Sequence, residues 1–157
     1  MFTTLFLYLL SLACWLGGMI FFAFFVAPIV FSRLPIQEAG KVMAGMFPRY
    51  YMLGYVAGTI AVILAIYFTI TSASARGWWS AAAILLAIAL SLTFYAGLVV
   101  RPQVDRIRGV TEEANPDPER RARFDSLHRL SVQLNGTVMV LNLLALASTA
   151  AALTRHG

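Results

Sequence analysis

Charge is what this sequence has least of. Asp, Glu, Lys and Arg make up 12% of its 157 residues, where a soluble domain carries about 25%. That deficit excludes an ordinary water-facing surface. There is one cysteine, Cys14, so no intramolecular disulfide can form. Within an apolar run, Cys14 is expected to be a buried thiol that behaves as a small hydrophobe. Histidines are few: His128 and His156. No serine–histidine–acid set, phosphate loop or pair of carboxylates within an apolar run is present, so a soluble-type hydrolase is unsupported and an enzyme is not expected. The net charge is +5, but the basic residues sit beside apolar runs and are not spread along a groove. Anionic lipid is the simpler partner, and nucleic acid is not expected.

Apolar residues, at 60%, are abundant and grouped. A membrane-spanning helix needs about 20 of them in succession. Four runs qualify, at about 3–31, 50–71, 78–100 and 130–153, none with an acidic or basic residue in its core. No basic residue precedes the first run, which is read as a retained helix and not as a removable signal. Only helix satisfies every backbone polar group in such a setting. The expected fold is an all-α integral membrane protein, one four-helix bundle domain over 1–157, embedded in a lipid bilayer.

Orientation follows from the basic residues. Loop 32–49 carries Arg33, Lys41 and Arg49; loop 101–129 carries Arg101, Arg106, Arg108, Arg120, Arg121, Arg123 and Arg129. Arg76 and Arg155 stand alone on the opposite side. These counts predict a bacterial-type inner membrane protein with both termini outside and both long loops cytoplasmic. Trp78 and Trp79 are expected at the outer interface.

The loops have structure of their own. Ile36, Ala39, Met43 and Met46 recur at helical spacing, which predicts a short amphipathic helix in the membrane surface, with Pro48 opening the next helix. Pro28 is expected to bend the first helix. In loop 101–129 the break falls at 109–116, and Asp117 is a helix cap followed by Pro118 and Glu119. The fourth helix therefore starts well before its apolar run, supported by Glu119/Arg123 and Asp125/Arg129 pairs four apart.

Helices in lipid associate through small residues and polar contacts. Gly54 and Gly58 on the second helix, and Ala83, Ala87 and Ser91 on the third, have that spacing. Their partner is either another helix of the chain or a second copy, so a homo-oligomer is one expectation.

The fourth helix carries the candidate site. His128, Ser131, Asn135, Asn142 and Thr149 lie at offsets of 0, 3, 7, 14 and 21, which keeps them on one face, with Met139 close by. Polar groups in hydrocarbon are costly, so this face should turn inward. It either fixes helix register or binds a ligand, through His128, Ser131, Asn135, Met139 and Asn142. A neutral imidazole binds haem iron or copper. Copper(I) favours thioethers, and Met43, Met46 and Met52 lie near the level of His128. The cofactor expectation is thus haem b or copper, with His128, Met43 and Met46 as metal ligands.

Three stretches together carry a family resemblance. They are Trp15-Leu16-Gly17-Gly18 leading to Val26-Ala27-Pro28, then Phe47-Pro48-Arg49-Tyr50, and finally Leu127-His128-Arg129-Leu130-Ser131 with Asn135. With Arg101-Pro102, they resemble the transmembrane protein 205-like family, also called domain of unknown function 4149. The resemblance implies a four-helix membrane protein. More remotely, the chain is similar to copper-resistance D proteins and HemJ-type protoporphyrinogen oxidases, which handle copper or haem. The resulting expectation is a binder of a small ligand, haem or a metal ion, in the cytoplasmic half of the bundle. The alternatives are an oligomeric transporter of a small solute or metal, and a non-catalytic scaffold that meets a cytoplasmic protein through loop 101–129, chiefly residues 111–117.

Overall fold

Four helices long and apolar enough to cross a membrane account for nearly all of the described chain: α1 (Phe2–Arg33), α2 (Ile36–Thr71), α3 (Arg76–Ile107) and α4 (Pro118–Thr154). The computed structural model describes residues 1–108 and 117–155. No strand occurs among them. Large apolar side chains such as Phe24, Phe25, Ile63 and Leu98 stand on the outside, a surface suited to lipid and not to water. The protein is a membrane-embedded helical bundle.

The connections follow local rules. Leu34 is extended (φ −118°, ψ 149°), as a residue before proline must be, and Pro35 then starts α2. Asp117 caps α4, its carboxylate accepting from the Glu119 amide at 3.2 Å.

Contacts fix an up–down–up–down order. The Tyr8 ring, early in α1, meets Phe68 late in α2 and Trp79 early in α3. The Tyr8 hydroxyl hydrogen-bonds Thr149, late in α4, at 2.7 Å. The beginnings and ends of the four helices therefore share one end of the bundle, the terminal end. At the other, arginine-rich end, Phe22 of α1 lies against Phe47 and Tyr50 of α2, and Arg101 of α3 reaches the Ala44 carbonyl of α2. Tyr8→Phe is expected to lower stability by about 1 kcal/mol, the scale of one polar contact between membrane helices. Denaturant unfolding in detergent measures it, and an unchanged midpoint would mean that the bond contributes nothing.

Each helix buries a seam of alternating three- and four-residue steps. The seam runs Tyr8, Leu12, Trp15, Met19 in α1 and Gly54, Gly58, Ala61, Ala65, Phe68 in α2. In α3 it includes Trp79, Ala82, Leu86, Ala89, Thr93, Ala96, and in α4 Val138, Asn142, Ala145, Thr149, Ala152. This 3.5-residue period holds helices together at a shallow left-handed crossing. The α2 glycines receive Trp15 and Leu90: a Cβ on Gly58 would stand 2.9 Å from each, and one on Gly54 3.1 Å from Thr93 and 3.2 Å from Trp15. Their partner is therefore within the chain.

Several expectations change. Ala83 is buried, but Ala87 and Ser91 are exposed, because steps of four drift around a helix while alternating steps do not. Cys14 is exposed on the lipid side of α1, not buried. Trp78 is 41% exposed, as an interfacial ring would be, but Trp79 is 1% exposed and stacks on Phe68 in the core.

The amphipathic segment from Ile36 is helical, with Ala39 and Met43 buried, yet it is not a separate helix. It runs through Pro48 as part of one 36-residue helix. Proline lacks an N–H, so the Ala44 carbonyl loses its helical donor. The Arg101 guanidinium replaces it at 3.2 Å. Pro28 is handled differently: α1 widens to a π-turn at Phe22–Val26 just before it. The same device recurs in α3, at Ala96–Val100 before Pro102. A wider turn displaces the carbonyl that a proline ring would strike. The chain thus repeats one plan, helices of 32 and 36 residues and then 32 and 37, although its sequence shows no repeat.

Candidate functional site

The polar stripe of α4 does turn inward over most of its length. Asn142 is fully buried; its amide nitrogen donates to the Val138 carbonyl at 2.9 Å, while Oδ1 finds no partner among the described residues. One heptad nearer the arginine-rich end, Asn135 accepts from the Tyr50 hydroxyl at 2.8 Å and donates to the Ser131 carbonyl at 2.9 Å. A longer contact of 3.4 Å joins its nitrogen to the Tyr51 hydroxyl. This cluster links α2 and α4 across the diagonal of the bundle. It borders a small interior cavity of about 10 Å³ with Trp15, Met19 and Thr93, room for a single water.

Beyond Asn135 the stripe reaches a cleft of about 40 Å³ at the arginine-rich end. Phe47 and Tyr51 of α2, Arg101, Val104 and Asp105 of α3, Arg108 just after it, and His128 and Ser131 of α4 line it. His128 is exposed and stacks on Phe124, one turn earlier, with ring centroids 6.2 Å apart. Asp105 holds both arginines, Arg108 at 2.6 Å and Arg101 at 3.3 Å. Arg108 also donates to the Gly40 carbonyl at 3.0 Å. The Arg101 guanidinium therefore has two anchors, Ala44 and Asp105, yet its Nε is buried with no partner among the described residues. A buried guanidinium N–H without an acceptor is expensive, and a bound acceptor would relieve it.

The structure divides the candidate residues. His128 and Ser131 line the cleft, and Asn135 lies one turn deeper, on the inner cavity. Met139 is half-buried against the core, and Asn142 is within it. Met43 and Met46 line neither cavity. The cleft residues outside the sequence expectation are Phe47, Tyr51, Arg101, Val104, Asp105 and Arg108. One signal for them was available: Tyr51 and Arg101 sit at the ends of apolar runs, the same depth as Ser131. His156 and residues 109–116, with most of the 111–117 partner segment, lie outside the described residues.

Haem b and copper do not fit these residues. Among the described residues no three of His, Cys, Asp and Glu gather. The described residues lining the cleft supply one imidazole, no thioether, and two guanidiniums against one carboxylate, a field that repels a cation. The cleft volume is that of about three or four waters, far below a porphyrin.

Residues 10–113 match a family described as Domain of unknown function (DUF4149). The chain belongs to that family. Within this DUF4149 chain the match covers most of α1 and all of α2 and α3, so Arg101, Asp105 and Arg108 fall inside it and His128 and Ser131 beyond it. An uncharacterized protein of Aquifex aeolicus (strain VF5) is 43% identical over 56 residues, 36% of this chain and 41% of that protein. The similarity thus spans less than half of that relative's length. No solved structure matches the chain.

Proposed function

We propose that this DUF4149 protein is an inner-membrane binder of a small anion, with the arginine-rich end in the cytoplasm and the termini outside. The observation that carries the reading is the buried, unsatisfied Nε of Arg101 beside a cleft lined by Arg108, His128 and Ser131. Ten of the twelve Lys and Arg residues belong to loops 32–49 and 101–129, which supports the orientation. Kinship with transmembrane protein 205-like proteins, and remotely with copper- and haem-handling families, belongs to this proposal; the charge of the cleft favours an anion over their cargoes. A small-solute or metal transporter would act as an oligomer, since Asn142 is packed in the interior of a single copy.

Full-length protein in mild detergent tests the binding. At about a hundredfold excess over Kd, phosphate, sulfate or acetate should raise the melting temperature by roughly 5–10 °C, and Arg101→Gln should abolish the rise. Stabilisation by copper(I) or haemin, with none by any anion, would overturn the reading. For orientation, Arg123→Cys in a Cys14→Ser background should react with an impermeant maleimide only in inverted vesicles. Labelling in right-side-out cells would reverse it.

A further inference from the structure

The anion cleft lies at a special depth. Three apolar runs begin or end beside it: the α2 run begins at residue 50, next to Tyr51; the α3 run ends at residue 100, next to Arg101; and the α4 run begins at residue 130, next to Ser131. Three helices thus pass from hydrocarbon-suited to polar surface at one level, and the cleft opens there. In a bilayer that level is the boundary between acyl chains and headgroups, where lipid phosphates lie.

The donors around the cleft also have a shape. Donor-bearing residues reach the cleft from three helices: Arg101 from α3, Tyr51 from α2, and His128 and Ser131 from α4. A planar carboxylate offers its two oxygens in one plane, and so fewer directions of approach. A tetrahedral phosphate offers oxygens in several directions, and guanidinium–phosphate contacts are among the strong charge-assisted hydrogen bonds. The volume of about 40 Å³ suits a group of that size. Asp105 is the one repulsive neighbour among the described residues lining the cleft, and its two oxygens already accept from Arg101 and Arg108. The apolar walls, Phe47 and Val104, suit an ester-linked organic group more than a fully hydrated ion.

We infer that the cleft formed by Tyr51, Arg101, His128 and Ser131 binds a phosphate group, carried either by a phospholipid headgroup or by a free phosphate. This rests on the anion reading above and narrows it. Once bound, the group would lie against Arg101, whose Nε has no partner among the described residues.

The test is equilibrium binding of dioctanoyl phosphatidic acid, inorganic phosphate and acetate to the full-length protein in mild detergent, by calorimetry. At least one phosphate should bind about tenfold or more tightly than acetate. Ser131→Ala and His128→Gln, at half-buried and exposed positions, should keep the fold and each weaken it severalfold; Arg101→Gln should weaken it by more than tenfold. Phosphatidic acid binding more tightly than inorganic phosphate assigns the site to a lipid headgroup, and the reverse order assigns it to a free phosphate. Native mass spectrometry of the protein as extracted provides the second measurement: co-purified phospholipid adducts lost in Arg101→Gln support the lipid source. Acetate binding as tightly as either phosphate would overturn this inference while leaving an anion cleft. Absence of binding by all three to a folded protein would overturn both. Phosphate binding untouched by Ser131→Ala and His128→Gln would place the ligand elsewhere and also overturn it.

Discussion

Gly58→Leu is expected to cost the bundle about 3 kcal/mol or more, at the upper end of what overpacking does. The first added carbon already stands 2.9 Å from the Trp15 ring and from Leu90, on two different helices. The Trp15 ring cannot retreat easily, for it is 2% exposed and also lies over Gly54. In lipid there is little solvent-driven force to push the helices back together, so close packing is the main attraction being lost. Gly17→Leu is the control: it adds the same side chain to α1 at a position with nothing within 4 Å of its Cβ. Unfolding midpoints in a denaturing detergent should fall sharply for Gly58→Leu and hardly at all for Gly17→Leu. Equal midpoints would mean that the α1–α2–α3 contact is not as close as described.

The second large effect is expected at Arg101. Arg101→Ala removes the donor that serves the Ala44 carbonyl and one of the two cations on Asp105, for an expected loss of about 2–4 kcal/mol. The distinctive part is the coupling to Pro48. Pro48→Ala restores an N–H within the helix, so the Ala44 carbonyl no longer depends on Arg101. In that background Arg101→Ala should cost about 1 kcal/mol less, a non-additivity readable in a double-mutant cycle. Strict additivity would show that the guanidinium contact with Ala44 contributes nothing to stability.

Much of this architecture is legible in the sequence, for one physical reason. A bilayer offers no partner to a bare backbone group, so run length alone sets the number and class of spans. The α4 stripe was equally readable, because Asn135, Asn142 and Thr149 are too costly to show to hydrocarbon. What escaped depends on partners far apart in the chain. Pro48 reads as a helix start until Arg101, 53 positions later, is seen to serve the carbonyl it leaves bare. The arginines were legible as a count that orients loops, yet a count does not say which of them fold back onto the bundle. Ala87 and Ser91 have the spacing of a packing face, but the seam takes the neighbouring residues, and only the set of four helices decides between those phases.

The widened turn in α3 has a geometric result of its own. A π-turn inserts one residue into the rod, and one residue is about 100° of rotation. The seam that arrives through Leu86, Ala89, Thr93 and Ala96 would, in an unbroken α-helix, continue through Val100, Gln103 and Ile107. With the added residue the inward phase also takes in Arg101, Val104 and the capping Arg108, which line the cleft with Asp105. A single extra position, placed just ahead of Pro102, is therefore what swings a guanidinium toward the interior of the assembly; without that phase slip an amide and an isoleucine would point there, and the positive charge would turn outward.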